Sequence, residues 1–120
     1  MGHSSLHDLT LAEASALIEA RKLSPVEYTE ALIARAEALD PQLNAFITRT
    51  FEAGLEAARA AEAEIARGNR RGPLHGVPFA LKDVYDTAGV LTSGHSRICM
   101  DRVPARDATA VAKLRAAGAI

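Results

Sequence analysis

The sequence is poor in several residue types, and each scarcity excludes a class of protein. Its 120 residues include one cysteine, Cys99, and no tryptophan. A single cysteine cannot form a disulfide within the chain, which is typical of a reducing compartment. No apolar run approaches the roughly 20 residues that cross a bilayer, and residues 1–5 lack the basic and apolar regions of a signal peptide. We therefore expect a cytoplasmic protein without a membrane partner.

An excess of either charge is also absent. The chain has 14 lysines and arginines against 15 aspartates and glutamates, a formal net charge of -1. This balance gives no electrostatic support for a nucleic-acid partner. Hydrophobic residues make up 48% of the chain but aromatic ones only 4%. The composition predicts a globular protein with an aliphatic core and closely packed helices.

The sequence contains several signals that are typical of helix starts. Thr10 is followed by Glu13 in a capping-box pattern, and Ser24 begins a similar box with a proline next to it. Pro41 is expected to end the second helix, because the residue before a proline avoids helical dihedral angles. Asp107 is the candidate cap of the last helix. Four helices are predicted, over about residues 10–22, 25–40, 52–67 and 107–117.

One stretch, residues 77–84, reads as a strand. Its alternate positions are apolar on both faces, which predicts a strand buried on both sides. Lys82 lies near its end, where burial of an unpaired ammonium would disfavour the charged form. Such a lysine is paired, reaches solvent with its head, or acts as a neutral base. The residues alone leave these three interpretations open.

The order of helices and strands indicates an α/β fold, with N-terminal helices packing on the start of a mixed or parallel sheet. A parallel sheet needs several strands and cover on both faces. The chain offers one clear strand, a weak one near 43–48 and the first step of another at 119–120. We therefore expect residues 1–120 to be the N-terminal part of a larger domain, with an unclosed sheet edge that favours self-association.

Several segments resemble the amidase signature family. The first reads Gly72-Pro73-Leu74-His75-Gly76-Val77-Pro78-Phe79-Ala80-Leu81-Lys82-Asp83 and is followed by Asp86-Thr87-Ala88-Gly89. The second runs from Val103 to Gly118. The two N-terminal helices, including the Ser24-Pro25 start, are also similar to this family. The resemblance covers the chain from about Leu6 onward and implies an incomplete amidase-signature fold.

The resemblance implies a serine hydrolase that cleaves amide C–N bonds with a serine, a bridging cis-serine and a lysine. Lys82 occupies the lysine position, and its implied role is general base and then general acid through the bridging serine. The family's Gly/Ser-rich segment, which carries both serines, lies well downstream of the lysine and has no counterpart in these residues. Lys82 is thus the one catalytic residue expected here, with no cofactor, and the chain alone is expected to be inactive.

Three functions stay open. The first is an amidase acting on a small-molecule amide, completed by the remainder of the amidase domain. The second is the amidase subunit of a glutamyl-tRNA(Gln) or aspartyl-tRNA(Asn) amidotransferase, which releases ammonia from glutamine and works with a partner. The third is a non-catalytic interaction fragment that assembles with itself or with the missing portion.

The other chemistry-bearing residues have simpler interpretations. Asp83 is expected to hydrogen-bond nearby backbone more readily than to tune Lys82. Ser93, His95 and Ser96 are too close in sequence to form a triad. His95 also stands where the family has a glycine, so the backbone of its loop is in question. The four histidines do not have the spacing of metal ligands: His3, His7, His75 and His95. Cys99 has no apparent base partner. The arginine cluster is expected to be a solvated loop: Arg67, Arg70 and Arg71.

Overall fold

The computed structural model describes residues 5–120. The N-terminal residues 1–4, with His3 and most of the stretch that lacks a signal-peptide pattern, lie outside this range. Within it no strand is formed, and single-turn 3₁₀ helices occupy Leu6–Asp8 and Arg97–Cys99. The α-helices are α1 (Leu11–Glu19), α2 (Pro25–Leu43), α3 (Phe51–Ala66) and α4 (Thr109–Ala116).

Helices α2 and α3 form an antiparallel pair. The Ser24 hydroxyl at the start of α2 contacts the Glu62 carboxylate near the end of α3. The Arg21 guanidinium donates to the Ile65 carbonyl at 3.3 Å, again at the end of α3. Small residues in α3 let the helices approach closely, since Ala58 is fully buried. Around this contact lies the main core: Ala14, Ile18, Leu23, Tyr28, Ile65 and Val77.

The helix starts follow local sequence signals. Thr10 Oγ1 accepts from the Glu13 N–H, and the Glu13 carboxylate accepts from the Thr10 N–H, so the predicted capping box is confirmed. Ser24 Oγ accepts from the N–H groups of Val26 and Glu27. The hydroxyl itself donates to Glu62, and the Glu27 carboxylate does not accept the Ser24 N–H, so the second capping box is incomplete.

The predicted end of α2 at Pro41 is wrong. The helix continues to Leu43 and ends at Asn44, which has φ 50°. Pro41 lacks the N–H that would bond the preceding turn, and the buried carboxylate of Asp40 fixes the chain just beyond the helix end. It accepts the Ala45 N–H at 2.7 Å and pairs with Arg49 at 2.6 Å.

The predicted cap of α4 is also wrong. Helix α4 begins at Thr109, after Ala108, and no side chain caps it. Asp107 instead accepts the N–H of Ala88 at 2.8 Å and a guanidinium N–H of Arg115 at 3.1 Å. The local sequence pattern predicted that this carboxylate would cap α4, but it binds a backbone N–H 19 residues away instead.

The predicted strand over 77–84 is not a strand among the described residues. Phe79 N donates to the Ile120 carbonyl at 2.8 Å, and Ile120 N donates to the Val77 carbonyl at 3.0 Å. Ile120 thus bonds both Val77 and Phe79, which is the hydrogen-bond pattern of two parallel strands. The pattern occurs only once, so no strand is formed over residues 77–84. The N–H groups of Val84 and Tyr85 both bond the Lys82 carbonyl and turn the chain. The sheet of the expected α/β fold is therefore not confirmed.

His75, at the centre of the first family-like segment, is buried with 1% of its surface exposed. Its Nδ1 accepts the Arg71 N–H at 3.0 Å, and its Nε2 lies 3.3 Å from a Glu64 carboxylate oxygen. Burial lowers the pKa of His75 and outweighs Glu64, which raises it. The acceptor role of Nδ1 agrees with a neutral ring that donates from Nε2. Gly118 packs on this ring, with φ +84°.

Gly118→Ala should destabilise the fold. A Cβ at this position would lie 2.5 Å from His75 Cδ2, and the backbone is left-handed, so overpacking and strain add to roughly 2–4 kcal/mol. Gly54→Ala is the matched control, because no atom lies within 4 Å of its Cβ and it sits inside α3. There alanine should raise the free energy of unfolding by about 0.5–1 kcal/mol. Urea denaturation measures both, and a neutral Gly118→Ala would contradict the packing argument.

The stability of the chain should fall between pH 7 and pH 5 through His75. An unfolded histidine takes up a proton near pH 6.5, whereas the folded state keeps His75 neutral to a lower pH. The unfolded state then binds more protons, so the free energy of unfolding decreases as pH decreases. His75→Asn should flatten this dependence, and His7→Asn at the surface should keep it. Denaturation midpoints at pH 7, 6 and 5 report the slopes; equal slopes in His75→Asn and the parent would refute the assignment.

Candidate functional site

Lys82 lines a large open groove. The groove has a volume of about 1300 Å³ and is walled by α2, α3, the segment 78–85 and residues near Thr92 and His95. The Lys82 side chain is exposed. Among residues 5–120, no carboxylate lies within ion-pair distance of its ammonium. We call this space the Lys82 groove.

Burial of the segment around Lys82 differs from the expectation of a strand buried on both sides. Val77 is buried and Phe79 is half-buried, but Ala80 and Val84 are exposed. Val77 therefore packs in the core, and the residues after it, 78–85, line the Lys82 groove. Of the three interpretations of Lys82, the described residues exclude a paired ammonium and leave its head in solvent.

Asp83 binds backbone, as expected, and not Lys82. One carboxylate oxygen accepts the Ser93 N–H at 3.0 Å, and the other accepts the Ser93 hydroxyl at 2.5 Å and the His95 N–H at 3.3 Å. The Asp83 carbonyl accepts the Gly94 N–H at 2.8 Å. These hydrogen bonds, with Ser93 as the main donor, lower the pKa of Asp83. Asp83 is therefore an ionised anchor for the loop at residues 92–96.

The loop at residues 92–96 turns through two left-handed residues. Gly94 has φ 58° and His95 has φ 56°. Left-handed backbone is favourable for glycine and strained for most other residues. His95 thus adopts the conformation that a glycine would hold at this position, and the sequence signal for it was the departure from the family pattern.

The neighbouring hydroxyls do not form a serine–histidine system. The Ser93 hydroxyl donates to Asp83 and accepts the His95 N–H at 3.1 Å. The Ser96 hydroxyl accepts the Ile98 N–H at 3.3 Å and so caps a 3₁₀ turn. In the described part of the chain, no hydrogen bond joins the His95 ring to either serine. Both serines support loop backbone.

An ion pair that the sequence pattern did not indicate holds together the segment between the Lys82 turn and α4. Arg102 binds Asp86 through two parallel hydrogen bonds of 2.6 and 2.7 Å. This guanidinium lowers the pKa of Asp86. The Asp86 carbonyl also accepts the Ala108 N–H at 2.7 Å. The irregular segment between the Lys82 turn and α4 is thereby fixed by contacts that span 16 to 22 residues, which no local pattern indicates.

Two arginines of the cluster depart from the expected solvated loop, whereas Arg67 is exposed and donates to the Ala63 carbonyl at 3.1 Å. Arg70 donates to the Ser15 hydroxyl at 2.9 Å and pairs with Glu19 at 3.3 Å. Arg71 forms two hydrogen bonds with Glu64, of 2.8 and 3.0 Å. The two guanidinium groups therefore join the connection after α3 to α1 and α3.

Residues 5–120 contain no cluster of three His, Cys, Asp or Glu side chains with metal-binding geometry. None of their helices combines the length and the apolar character that a membrane crossing needs. Cys99 is a free, half-buried thiol.

His95→Gly should stabilise the chain. Glycine removes the left-handed strain at φ 56° but adds unfolded-state entropy, which leaves a net gain of about 0.5–1 kcal/mol. His95→Val should have the opposite effect, because a β-branched residue adopts this conformation least readily. Equilibrium denaturation compares the two with the parent. A valine variant as stable as the glycine variant would show that the strain is absent.

The chain matches the model of a known family. The family model described as Amidase matches residues 27–120, which include most of α2 and all of α3, the Lys82 segment and α4. A glutamyl-tRNA(Gln) amidotransferase subunit of Geobacter metallireducens is 49% identical over 115 residues, which is 96% of this chain and 24% of that protein.

Solved structures give the same result. The native peptide amidase of Stenotrophomonas maltophilia superposes with a TM-score of 0.86 at 36% identity, over 94% of this chain and 23% of that one. A fatty acid amide hydrolase superposes with a TM-score of 0.89 at 25% identity, over 99% of this chain and 21% of that one. The chain spans about a quarter of the length of these relatives. From the matched family model and these similarities, the chain belongs to the amidase family.

Proposed function

We propose that this chain contributes the lysine base to an amide hydrolase of the serine–cis-serine–lysine type. The observation that carries the proposal is the place of Lys82. Its side chain opens into the Lys82 groove without an ion-pair partner among the described residues, and the family match includes the segment that carries it. A nearby carboxylate would favour the charged form of a lysine, whereas a lysine base needs the free amine.

The proposed chemistry starts with a proton transfer. A serine hydroxyl is a weak nucleophile until a base takes its proton. In the proposal Lys82, as a free amine, takes that proton through the bridging serine, and the nucleophilic serine attacks the amide carbonyl. The C–N bond then breaks as the lysine returns the proton to the leaving nitrogen. Water hydrolyses the resulting ester by the same route.

The groove supplies the setting for this reaction. Many of its walls are apolar, and large side chains near it are exposed, including Phe46, Ile47 and Tyr85. In the proposal further polypeptide covers these walls and brings the two serines to Lys82. Covering the groove would also remove water from the ammonium and disfavour its charged form. We therefore expect that the 120 residues alone do not hydrolyse amides. We also expect the enzyme to be cytoplasmic, as the sequence composition suggests.

A second candidate is the amidase subunit of a tRNA-dependent amidotransferase. It is favoured by the 49% identity to the Geobacter metallireducens amidotransferase subunit. Both candidates need the same lysine, so Lys82 does not separate them. Ammonia release from glutamine in the presence of a partner protein would favour the second, and release from simple amides would favour the first.

A third candidate has no catalytic role. Exposed apolar side chains such as Leu43, Ile98 and Met100 suit assembly with another chain or a second copy. Sedimentation of the isolated chain tests it. A stable oligomer, together with no activity in the assay below, would favour this interaction role.

Lys82→Ala should abolish amide hydrolysis in a completed enzyme. Residues 6–120 would be joined to the remaining three quarters of the Stenotrophomonas maltophilia peptide amidase, whose superposed part they replace. Loss of a general base costs about 100- to 10,000-fold in kcat. Ammonia release from glutamine and a panel of simple amides measures the effect.

Lys113→Ala is the matched control for this experiment. Lys113 is an exposed lysine on α4, and it does not line the Lys82 groove. Its loss should leave kcat within about two-fold of the parent. Circular dichroism would verify that each hybrid is folded. A folded Lys82→Ala hybrid with parental kcat would overturn the proposed role.

A further inference from the structure

Lys82 lies between two backbone anchors. On its N-terminal side, Phe79 and Val77 bond Ile120, and Gly76 N donates to the Gly118 carbonyl at 3.0 Å. On its C-terminal side, the Lys82 carbonyl accepts the Val84 N–H at 2.7 Å and the Tyr85 N–H at 3.1 Å. The first anchor fixes the direction of the segment, and the second fixes where it turns.

Asp83 connects the second anchor to the wall of the groove. Its side chain accepts from the Ser93 hydroxyl, the Ser93 N–H and the His95 N–H, and its carbonyl accepts from Gly94. Four donors from three consecutive residues therefore converge on the residue directly after Lys82. Gly94 and His95 line the Lys82 groove, whereas Ser93 is buried and does not line it.

We propose that Asp83 is a positioning residue, which holds the backbone of Lys82 against the loop at residues 92–96 so that the lysine nitrogen enters the groove at a fixed point. The proposal rests on the proposed function of Lys82. It assigns Asp83 no contact with substrate. Its reason is geometric, because no hydrogen bond or ion pair of the described residues holds the exposed Lys82 side chain and only its backbone is fixed.

The ionised state of Asp83 supports this role. The Ser93 hydroxyl and the two N–H groups lower the pKa of the carboxyl. A neutral amide could not accept from both sides, since an asparagine has one acceptor oxygen and one NH₂ group. The anchor therefore depends on a carboxylate and on the Ser93 hydroxyl together.

Asp83→Asn tests the proposal in the hybrid enzyme described above. Displacement of a catalytic group by about 1 Å can cost on the order of 100-fold, so we expect kcat to fall by about 10- to 100-fold with KM within two-fold. Asp83→Glu should recover part of the loss, because it keeps a carboxylate. Ser93→Ala should lower kcat by about three- to ten-fold without changing the charge.

The pH profile separates positioning from an electrostatic effect on Lys82. Removal of a negative charge beside a lysine would move the acidic limb of the kcat profile, whereas misplacement lowers kcat at every pH. Ser93→Ala keeps the charge, so it should lower kcat with an unmoved limb. Amide hydrogen exchange of the 120-residue chain gives a readout independent of activity: Gly94 and His95 should exchange at least ten-fold faster in Asp83→Asn.

Asp107→Asn is the matched control. Asp107 also accepts one backbone N–H and one guanidinium N–H, but it does not line the groove. It should lower stability and leave kcat per folded molecule within two-fold. Asp83→Asn and Ser93→Ala hybrids with parental kcat would overturn the positioning role, as would a loss explained wholly by a moved limb. If Asp83→Asn fails to fold, Ser93→Ala and Asp83→Glu decide.

Failure of this proposal is distinguishable from failure of the proposed function. A Lys82→Ala hybrid that keeps its activity refutes the lysine base, whatever Asp83 does. An inactive Lys82→Ala hybrid beside fully active Asp83 and Ser93 variants refutes only the positioning role.

Discussion

The close packing of the segment His75-Gly76-Val77 is the contact on which the rest of the structure depends. A Cβ at Gly76 would lie 2.8 Å from Pro25 Cγ, and one at Gly118 would lie 2.5 Å from His75 Cδ2. The segment therefore runs against the start of α2 on one side and the end of α4 on the other. Val77 completes the core that α1, α2 and α3 share. This contact decides where the chain leading to Lys82 leaves the core, next to the groove walls that α2 and α3 provide.

Beyond Lys82, carboxylates replace helices as the source of order. Asp83, Asp86 and Asp107 each bind a segment far along the chain, and the pKa values of Asp83 and Asp86 are lowered by their partners. A lowered carboxyl pKa means that its stabilisation is present above the ordinary titration range and is lost as pH decreases. The contacts of Asp83 and Asp86 should therefore weaken as pH decreases, as should those of the helix-bound carboxylates Asp40 and Glu64, whose pKa values are also lowered.

The parts of the fold that sequence could predict are those set by neighbours in sequence. The capping box at Thr10 and the proline start at Ser24 need only residues within one helical turn. The errors at Pro41 and Asp107 share one cause, since Asp40 and Asp107 find partners 9 and 19 residues away. The strand around Lys82 was predicted from apolar alternation, which assumes cover on both faces. For the site, the backbone-binding role of Asp83 followed from residue type, whereas its partners at Ser93 and His95 are long-range and gave no signal.

Position and charge of the proposed base have separate origins. The described residues place the Lys82 backbone through Ile120 on one side and Asp83 on the other, but they leave its side chain exposed. Burial disfavours the charged form of a lysine, so the proposed base needs desolvation by the polypeptide that covers the groove. The left-handed backbone of His95 contributes to position and not to charge, because the N–H of His95 donates to Asp83. In the proposed enzyme, the polypeptide that covers the groove would therefore both complete the site and remove water from the lysine.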